Sequence, residues 1–368
     1  MSEPYQHLGW ECSPYSSKTR AYLRYKQIPH EDRFPSALEM KRSIEKKIGF
    51  VIMPVVIESN GRILQDSEVI IDTLEEKFTD KTITPKTPCQ SLVSKLITLN
   101  ADEWMPLIAM HTRWNIPENV SFIRRDFGRN MFPFLPSVIH PFLGGTVAKK
   151  MSSYLPILGI TNKTQPAIEA WLKALLAQLD LHFSEHPFLL GSKPCRGDFA
   201  LFGPLYAHVR RDPGSSHFII QHSNVDAWID RMKHPIEGEE GAYLSNDQIP
   251  ESLFPILRRI FKEQFPALRQ TVQSVGEWCD ENPGKTKLPR GLGEVEIQLG
   301  DIREKRKNLS FAYWKLQKVV ELYQSFDDDQ LKDVNHLLSL IDGEQSLEMN
   351  MKYKLIMANY RLIVDRSS

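Results

Sequence analysis

Residues 51–78, VIMPVVIESNGRILQDSEVIIDTLEEKF, constrain the fold more tightly than any other stretch. They begin inside an apolar run, Phe50 to Ile57, interrupted only by Pro54. Proline cannot donate to a sheet ladder, so Pro54 marks a strand start, an edge or a bend. Ser59, Asn60 and Gly61 then supply a hairpin turn, because Asn and Gly accept positive φ at low cost. Arg62 to Leu64 return as a short strand. Gln65, Asp66, Ser67 and Glu68 follow, with N-cap and acidic first-turn residues ahead of a helical pattern at Val69, Ile70, Leu74 and Phe78. The pattern reads as strand, proline, hairpin, strand and capped helix.

A second signal lies upstream. YQHLGW, residues 5–10, is weakly patterned and allows a short first strand. Ser13-Pro14 then starts a helix: the hydroxyl caps it, and proline's missing N–H costs nothing at the first position. Helical spacing runs through Tyr15, Ala21, Tyr22, Leu23 and Tyr25 until Lys26-Gln27-Ile28-Pro29 ends it. Strand and helix, followed by strand, hairpin and helix, is the order of an α/β thioredoxin-like domain.

Met53-Pro54 and Asp66-Ser67, with the hairpin between them, resemble the glutathione transferase family. SPYSSKTRAYLRYKQIP resembles its serine-type pattern. The resemblance implies a thioredoxin-like domain over 1–80, an all-helical domain over 90–236 and glutathione as co-substrate. It places Ser13 in the catalytic position before the proline. The backbone of Met53, held by Pro54, would pair with the cysteinyl part of glutathione, and Gln65, Asp66 and Ser67 would hold the γ-glutamyl end. Helix N–H groups and a hydroxyl make a ready anion site, which agrees with that role. The plain alternative is an ordinary hairpin with two well-capped helices.

The chemistry implied for Ser13 is a hydrogen bond to the glutathione sulfur, favouring thiolate over thiol, helped by the helix N-terminus. Cys12 is the competitor. A cysteine at a helix N-terminus can form a mixed disulfide, but cysteine-type members carry it directly before the proline, and Cys12 lies one residue too early. Tyr5 is a third candidate donor. Lys46 or Lys47, in the polar stretch 29–50, would meet the glycine carboxylate; such a run also reads as a solvated face.

Composition narrows the alternatives. The 368 residues carry 46 basic and 46 acidic side chains, so there is no net pull toward nucleic acid or an anionic membrane. The N-terminus lacks a signal-peptide pattern, and no apolar run approaches a membrane span. Cys12, Cys89, Cys195 and Cys279 lie far apart with no zinc spacing, which suits a reduced, cytoplasmic chain without a metal.

Beyond residue 78, TDKTITPKTPCQ (79–90) reads as a linker. Leu92, Leu96, Leu99, Glu103 and Leu107 predict one long helix. Residues 111–165 read as broken helices around a pocket for an apolar electrophile, with Trp114, Phe122, Phe127 and Phe134 as core. Gln165 to Phe183 is an amphipathic helix ending in His182 and His186. PFLLGSKPCRGDFALF resembles the family's buried helix motif, with Asp198 in place but Cys195 where Ser or Thr normally caps. Residues 237–368 read as an α+β extension: helix over 249–278, strand over 295–299, turn at Gly300-Asp301, helices over 311–326 and 327–341, and a strand over 347–355. This extension resembles one carried by bacterial transferase-like proteins. It leaves three roles open: binding a partner, covering the active site or altering a dimer interface.

The expected function is transfer of the glutathione thiolate to a small apolar electrophile by a homodimer. The alternatives are a thiol–disulfide oxidoreductase acting through Cys12 and a non-catalytic binding module with the same fold.

Overall fold

The computed structural model describes residues 4–235 and 241–367. The expected domain boundary at 236/237 lies outside the described residues. Packing divides the chain into two compact units that interleave along the sequence. One holds residues 1–83, 108–155 and 198–241; the other holds 84–107, 156–197 and 242–368.

The first unit begins with β1 (Tyr5–Leu8), α1 (Pro14–Tyr25) and β2 (His30–Arg33). β3 (Val55–Ile57), β4 (Ile63–Gln65) and α2 (Ser67–Lys77) follow. The strand order is β2-β1-β3-β4, with β1 parallel to β2 and the other pairs antiparallel. This is the thioredoxin-like arrangement, and its core is Leu8, Leu23, Val55, Val56, Leu64, Ile70, Ile71 and Leu74. The expected linker is shorter and more attached than its composition suggested. Ile83 is buried, and Glu75 accepts from the Thr82 hydroxyl and the Ile83 amide at 2.8 and 3.0 Å.

The expected long helix after the linker is two. α3 (Pro88–Glu103) stops before α4 (Pro106–Asn115), because Pro106 cannot continue an α-helical ladder. Proline also starts α5 (Pro117–Met131), which packs tightly against α6 (His140–Ser152). Small residues allow that approach: a Cβ on Gly144 would lie 1.9 Å from the Arg124 carbonyl oxygen, and one on Gly128 would lie 2.0 Å from that of His140. Trp114 and Phe127 are buried as expected. Phe122 is half-buried, with the Arg211 guanidinium 5.0 Å from its ring centre. Phe134 is instead 95% exposed, because Pro133 and Pro136 bracket it in the turn between the helices.

In the second unit, α3 lies beside the extension. The amides of Cys89 and Gln90 at its start donate to the Asp247 carboxylate at 2.7 and 2.9 Å, so a residue far along the chain caps this helix. Asn100 donates to Gln264 at 2.9 Å, and Lys315 pairs with Asp102 at 2.9 Å in the interior. α7 (Gln165–Glu185) forms as predicted, and α8 (Arg196–Pro204) carries the buried-helix motif. The Asp198 carboxylate accepts from the Trp228 indole at 3.1 Å, a structural role. Asp198, Trp228 and α9 (Ser223–Lys233) belong to the first unit.

The extension continues as α10 (Phe254–Arg259), a wider turn over Ile260–Gln264, and α11 (Phe265–Glu281). β5 (Gly291–Leu299) and β6 (Ile302–Leu309) pair as a hairpin around Gly300 and Asp301. α12 (Ser310–Gln324) and α13 (Asp328–Leu340) follow, the latter with a full capping box from Asp327 and Gln330. The alternation over 347–355 is not a strand. Pairing begins at β7 (Leu355–Ala358), turns at Asn359-Tyr360 and returns in β8 (Arg361–Val364). Alternation alone did not locate the turn, whose two residues both adopt positive φ.

Two predictions follow from packing and burial. Gly144→Ala is expected to lower stability by about 1–3 kcal/mol through backbone overpacking, read from the denaturant midpoint; an unchanged midpoint contradicts it. Burial pushes His7 and His182 down to about 4 and His208 well below 6.5. Between pH 6.5 and about 4 the unfolded chain therefore binds more protons than the folded one, and stability falls on acidification. The slope is about 1.4 kcal/mol per pH unit for each histidine. Urea titrations at neutral and mildly acidic pH test this, and equal stabilities contradict it.

Candidate active site

The sheet register assembles the site. Leu8 lies opposite Val55, and Val55 lies opposite Gln65. β1 and β4 run one way and β3 the other. Residues 9–13 after Leu8, Met53-Pro54 before Val55, and Asp66-Ser67 after Gln65 thus leave the sheet at one end. Tyr5 lies at the opposite end of β1, which separates it from this cluster.

Each segment has a defined local form. The Ser13 Oγ caps α1 by accepting from the Ser16 amide at 3.2 Å. That cap uses a lone pair, so the hydroxyl hydrogen remains to donate. The Met53-Pro54 bond is cis. Asp66 caps α2, its Oδ1 accepting from Glu68 and Val69 amides at 2.8 and 3.4 Å. Its φ of +75° is unfavourable for a residue with a side chain, a conformation that recurs at functional sites. Gln65 and Ser67 are buried, while Met53, Asp66 and Ser13 are half-buried. Two helix N-termini thus face one end of the sheet, both biased toward negative charge.

Buried side chains hold the loop before Ser13. The Gly9 carbonyl accepts from Arg20 Nη2 at 3.2 Å, that of Glu11 from Ser17 Oγ at 3.1 Å, and that of Cys12 from Arg113 Nη1 at 2.6 Å. The Ser13 amide closes the turn on the Trp10 carbonyl at 3.1 Å. Arg113 also donates to both Asp212 oxygens at 2.7 and 3.1 Å and to the Ala207 carbonyl at 2.5 Å. Arg20 pairs with Asp32, which also meets the His7 Nδ1 at 2.8 Å. Burial alone would raise the Asp32 pKa; hydrogen bonds from His7 and Arg20 overcome that and hold it below the usual carboxylate range. Lys18 and Glu68, both buried and 3.5 Å apart, tie α1 to α2. Sequence reading missed these groups. Arg113 stands about a hundred residues from Cys12, and its only sequence sign is that it is the one arginine in helix α4.

The remaining candidates separate. Cys12 is 3% exposed, and burial pushes its thiol up to about 12. Lys46 and Lys47 are exposed on a three-residue helix that ends at Gly49. His182 meets Ser252 Oγ at 2.8 Å and the Phe188 carbonyl at 3.2 Å. Among the described residues, no group of three or more His, Cys, Asp or Glu side chains is placed to hold a metal. Trp10, Phe127 and Trp114 form an aromatic wall beside the loop, with ring centres 5.6 and 6.4 Å apart along it.

The fold and this cluster define a thioredoxin-like domain whose anion-favouring helix ends lie at one edge of the sheet. Residues 8–82 match the family model for the glutathione S-transferase N-terminal domain. A curated relative, glutathione S-transferase U3 of Arabidopsis thaliana, is 24% identical over 186 residues, covering 46% of this chain and 82% of the relative. The family-model match identifies residues 8–82 as a glutathione S-transferase-type N-terminal domain. Similar solved structures include a glutathione S-transferase from Methylobacterium radiotolerans in complex with glutathione sulfonate. It is 15% identical, covers 63% of this chain and 92% of its own, and has a TM-score of 0.40. Another is a beta-etherase from Sphingobium sp. at 16% identity, covering 62% and 95%, with a TM-score of 0.43. No helix among the described residues is long and apolar enough to cross a membrane.

Arg113→Lys tests the clamp on the loop. Lysine keeps the charge but not the planar fork that reaches Asp212 and two carbonyls together. Amide hydrogen exchange over residues 10–13 is expected to quicken at least about tenfold, equivalent to about 1.4 kcal/mol of lost protection, while β3 and β4 stay protected. Unchanged exchange in the loop would show that Arg113 does not hold it.

Proposed function

We propose that the protein binds glutathione and transfers its thiolate to a small apolar electrophile. The observation that carries this reading is the half-buried Ser13 hydroxyl at the N-terminus of α1. Its cap hydrogen bond leaves the O–H to donate toward a sulfur. A thiolate accepting that bond, close to the positive end of the helix, is favoured over the thiol. No general base is needed.

In this reading the Met53 backbone, set by Pro54, pairs with the cysteinyl residue of glutathione. The α2 N-terminus with Gln65, Asp66 and Ser67 receives the γ-glutamyl end: amides take its carboxylate, and the Asp66 carboxylate attracts its amine. Lys46 or Lys47 meets the glycine carboxylate, a long-range contribution that salt screens because both are exposed. Trp10, Trp114 and Phe127 are buried and pack behind the loop, supporting it without offering the electrophile a surface. Cys12 contributes packing, because a thiol pushed up to about 12 carries little thiolate at neutral pH. That disfavours the thiol–disulfide alternative.

Ser13→Ala is the test. The ultraviolet absorbance of the glutathione thiolate, titrated on the protein, is expected to show a thiol pKa at least about one unit higher in the variant, the equivalent of 1.4 kcal/mol. Turnover of a chlorinated nitrobenzene at pH 7 is expected to fall at least about tenfold. Cys12→Ser is expected to change neither. Full activity in Ser13→Ala, or its loss in Cys12→Ser, overturns the assignment.

A further inference from the structure

The charge balance of the whole chain hides a local excess on the hairpin of α5 and α6. No acidic residue lies between Asp126 and Glu169 in the sequence. Asp126 itself pairs with Arg211 at 2.8 Å. Arg124, Arg125, Arg129, Lys149 and Lys150 are all exposed on the two helices. Arg125, Arg129, Lys149 and Lys150 form no ion pair among the described residues. The turn between the helices is exposed without a break from Pro133 to Ile139. Phe134 is 95% exposed, Val138 82% and Phe142, in the first turn of α6, 78%. Exposure of that degree belongs to a convex apolar knob and not to a groove. The knob has a defined backbone. The Leu135 and Ile139 amides donate to the Phe132 and Pro136 carbonyls, both at 3.1 Å. Arg124 Nε donates to the Pro141 carbonyl at 3.3 Å, which ties α5 to the start of α6.

Single apolar side chains on a surface need no explanation, but several together on one turn mark a site of interaction. We propose that this tip inserts into the interfacial layer of an anionic lipid bilayer, with the arginines of α5 at the level of the lipid phosphates. The dimensions agree. Arg129 and Arg125 lie about 3 and 9 Å back from Met131 along α5, at about 1.5 Å per residue. Interfacial apolar groups sit about 5–10 Å deep, so Phe134, Leu135, Val138 and Phe142 enter the acyl boundary while the guanidiniums meet phosphate oxygens. Lys149 and Lys150, further back on α6, add a longer-range attraction that salt screens. The same charges argue against a second copy of the chain as the occupant. A twofold contact presents one surface to itself and would bring each set of arginines against its own copy. Peripheral attachment of this kind needs no membrane-crossing helix, and the inference is independent of glutathione binding.

Cosedimentation of the full-length protein with lipid vesicles tests the proposal. The wild type is expected to bind vesicles of equimolar phosphatidylserine and phosphatidylcholine at least about tenfold more tightly than phosphatidylcholine alone, and to be released as salt rises. Phe134→Ser combined with Phe142→Ser is expected to weaken binding to the mixed vesicles at least about tenfold, as is Arg125→Gln combined with Arg129→Gln. All four residues are exposed, so both variants are expected to keep the wild-type Tm. No binding of the wild type to the mixed vesicles, or equal binding by the phenylalanine variant, overturns the insertion. Equal affinity for phosphatidylcholine alone overturns the choice of an anionic surface. A homodimer in analytical ultracentrifugation that the phenylalanine variant dissociates overturns the lipid in favour of a second copy.

Discussion

The row of paired residues Leu8, Val55 and Gln65 is the constraint on which the candidate site depends. A shift of one residue in either ladder would reverse which side chains face the core and would move a loop away from the others. The register is secured because Leu8, Val55, Val56 and Leu64 are all buried. Burial therefore fixes the sheet, the sheet fixes which backbone ends meet, and those ends carry the polar groups. No side chain in the row needs to touch a substrate for the row to decide where one binds.

A second layer of order comes from buried charge. Arg20, Arg113, Lys18 and Glu68 are all in the interior of the first unit, and each is partnered. Such pairs add little net stability compared with an apolar core, but breaking one by removing a partner costs about 3–5 kcal/mol. Their effect here is positional. Arg20 and Arg113 grip carbonyls at the two ends of the Gly9–Cys12 loop, and Ser17 grips the Glu11 carbonyl between them. Ser13 is thereby set at the helix start by groups from distant parts of the chain.

Local rules made much of this legible. Pro54, Asn60-Gly61 and Asp66 announced the strand, turn and cap, because each acts through its own backbone. Ser13-Pro14 did the same for α1. Where the deciding interaction is remote, the sequence was silent: Asp247 capping α3, Arg113 reaching Cys12, and His7 buried against Asp32 have no local pattern. Phe134 shows the opposite failure. Its hydrophobicity suggested core, but two flanking prolines turn it outward. The 347–355 alternation misled for a related reason, since period two marks a strand only where a partner strand exists to pair with it.

The central claim is that one end of this sheet holds glutathione. Isothermal calorimetry of the reduced full-length protein with glutathione tests it most directly. The account predicts saturable binding at one glutathione per chain. Absence of binding at millimolar glutathione would contradict it, leaving the shared end of β1, β3 and β4 a feature of the fold alone.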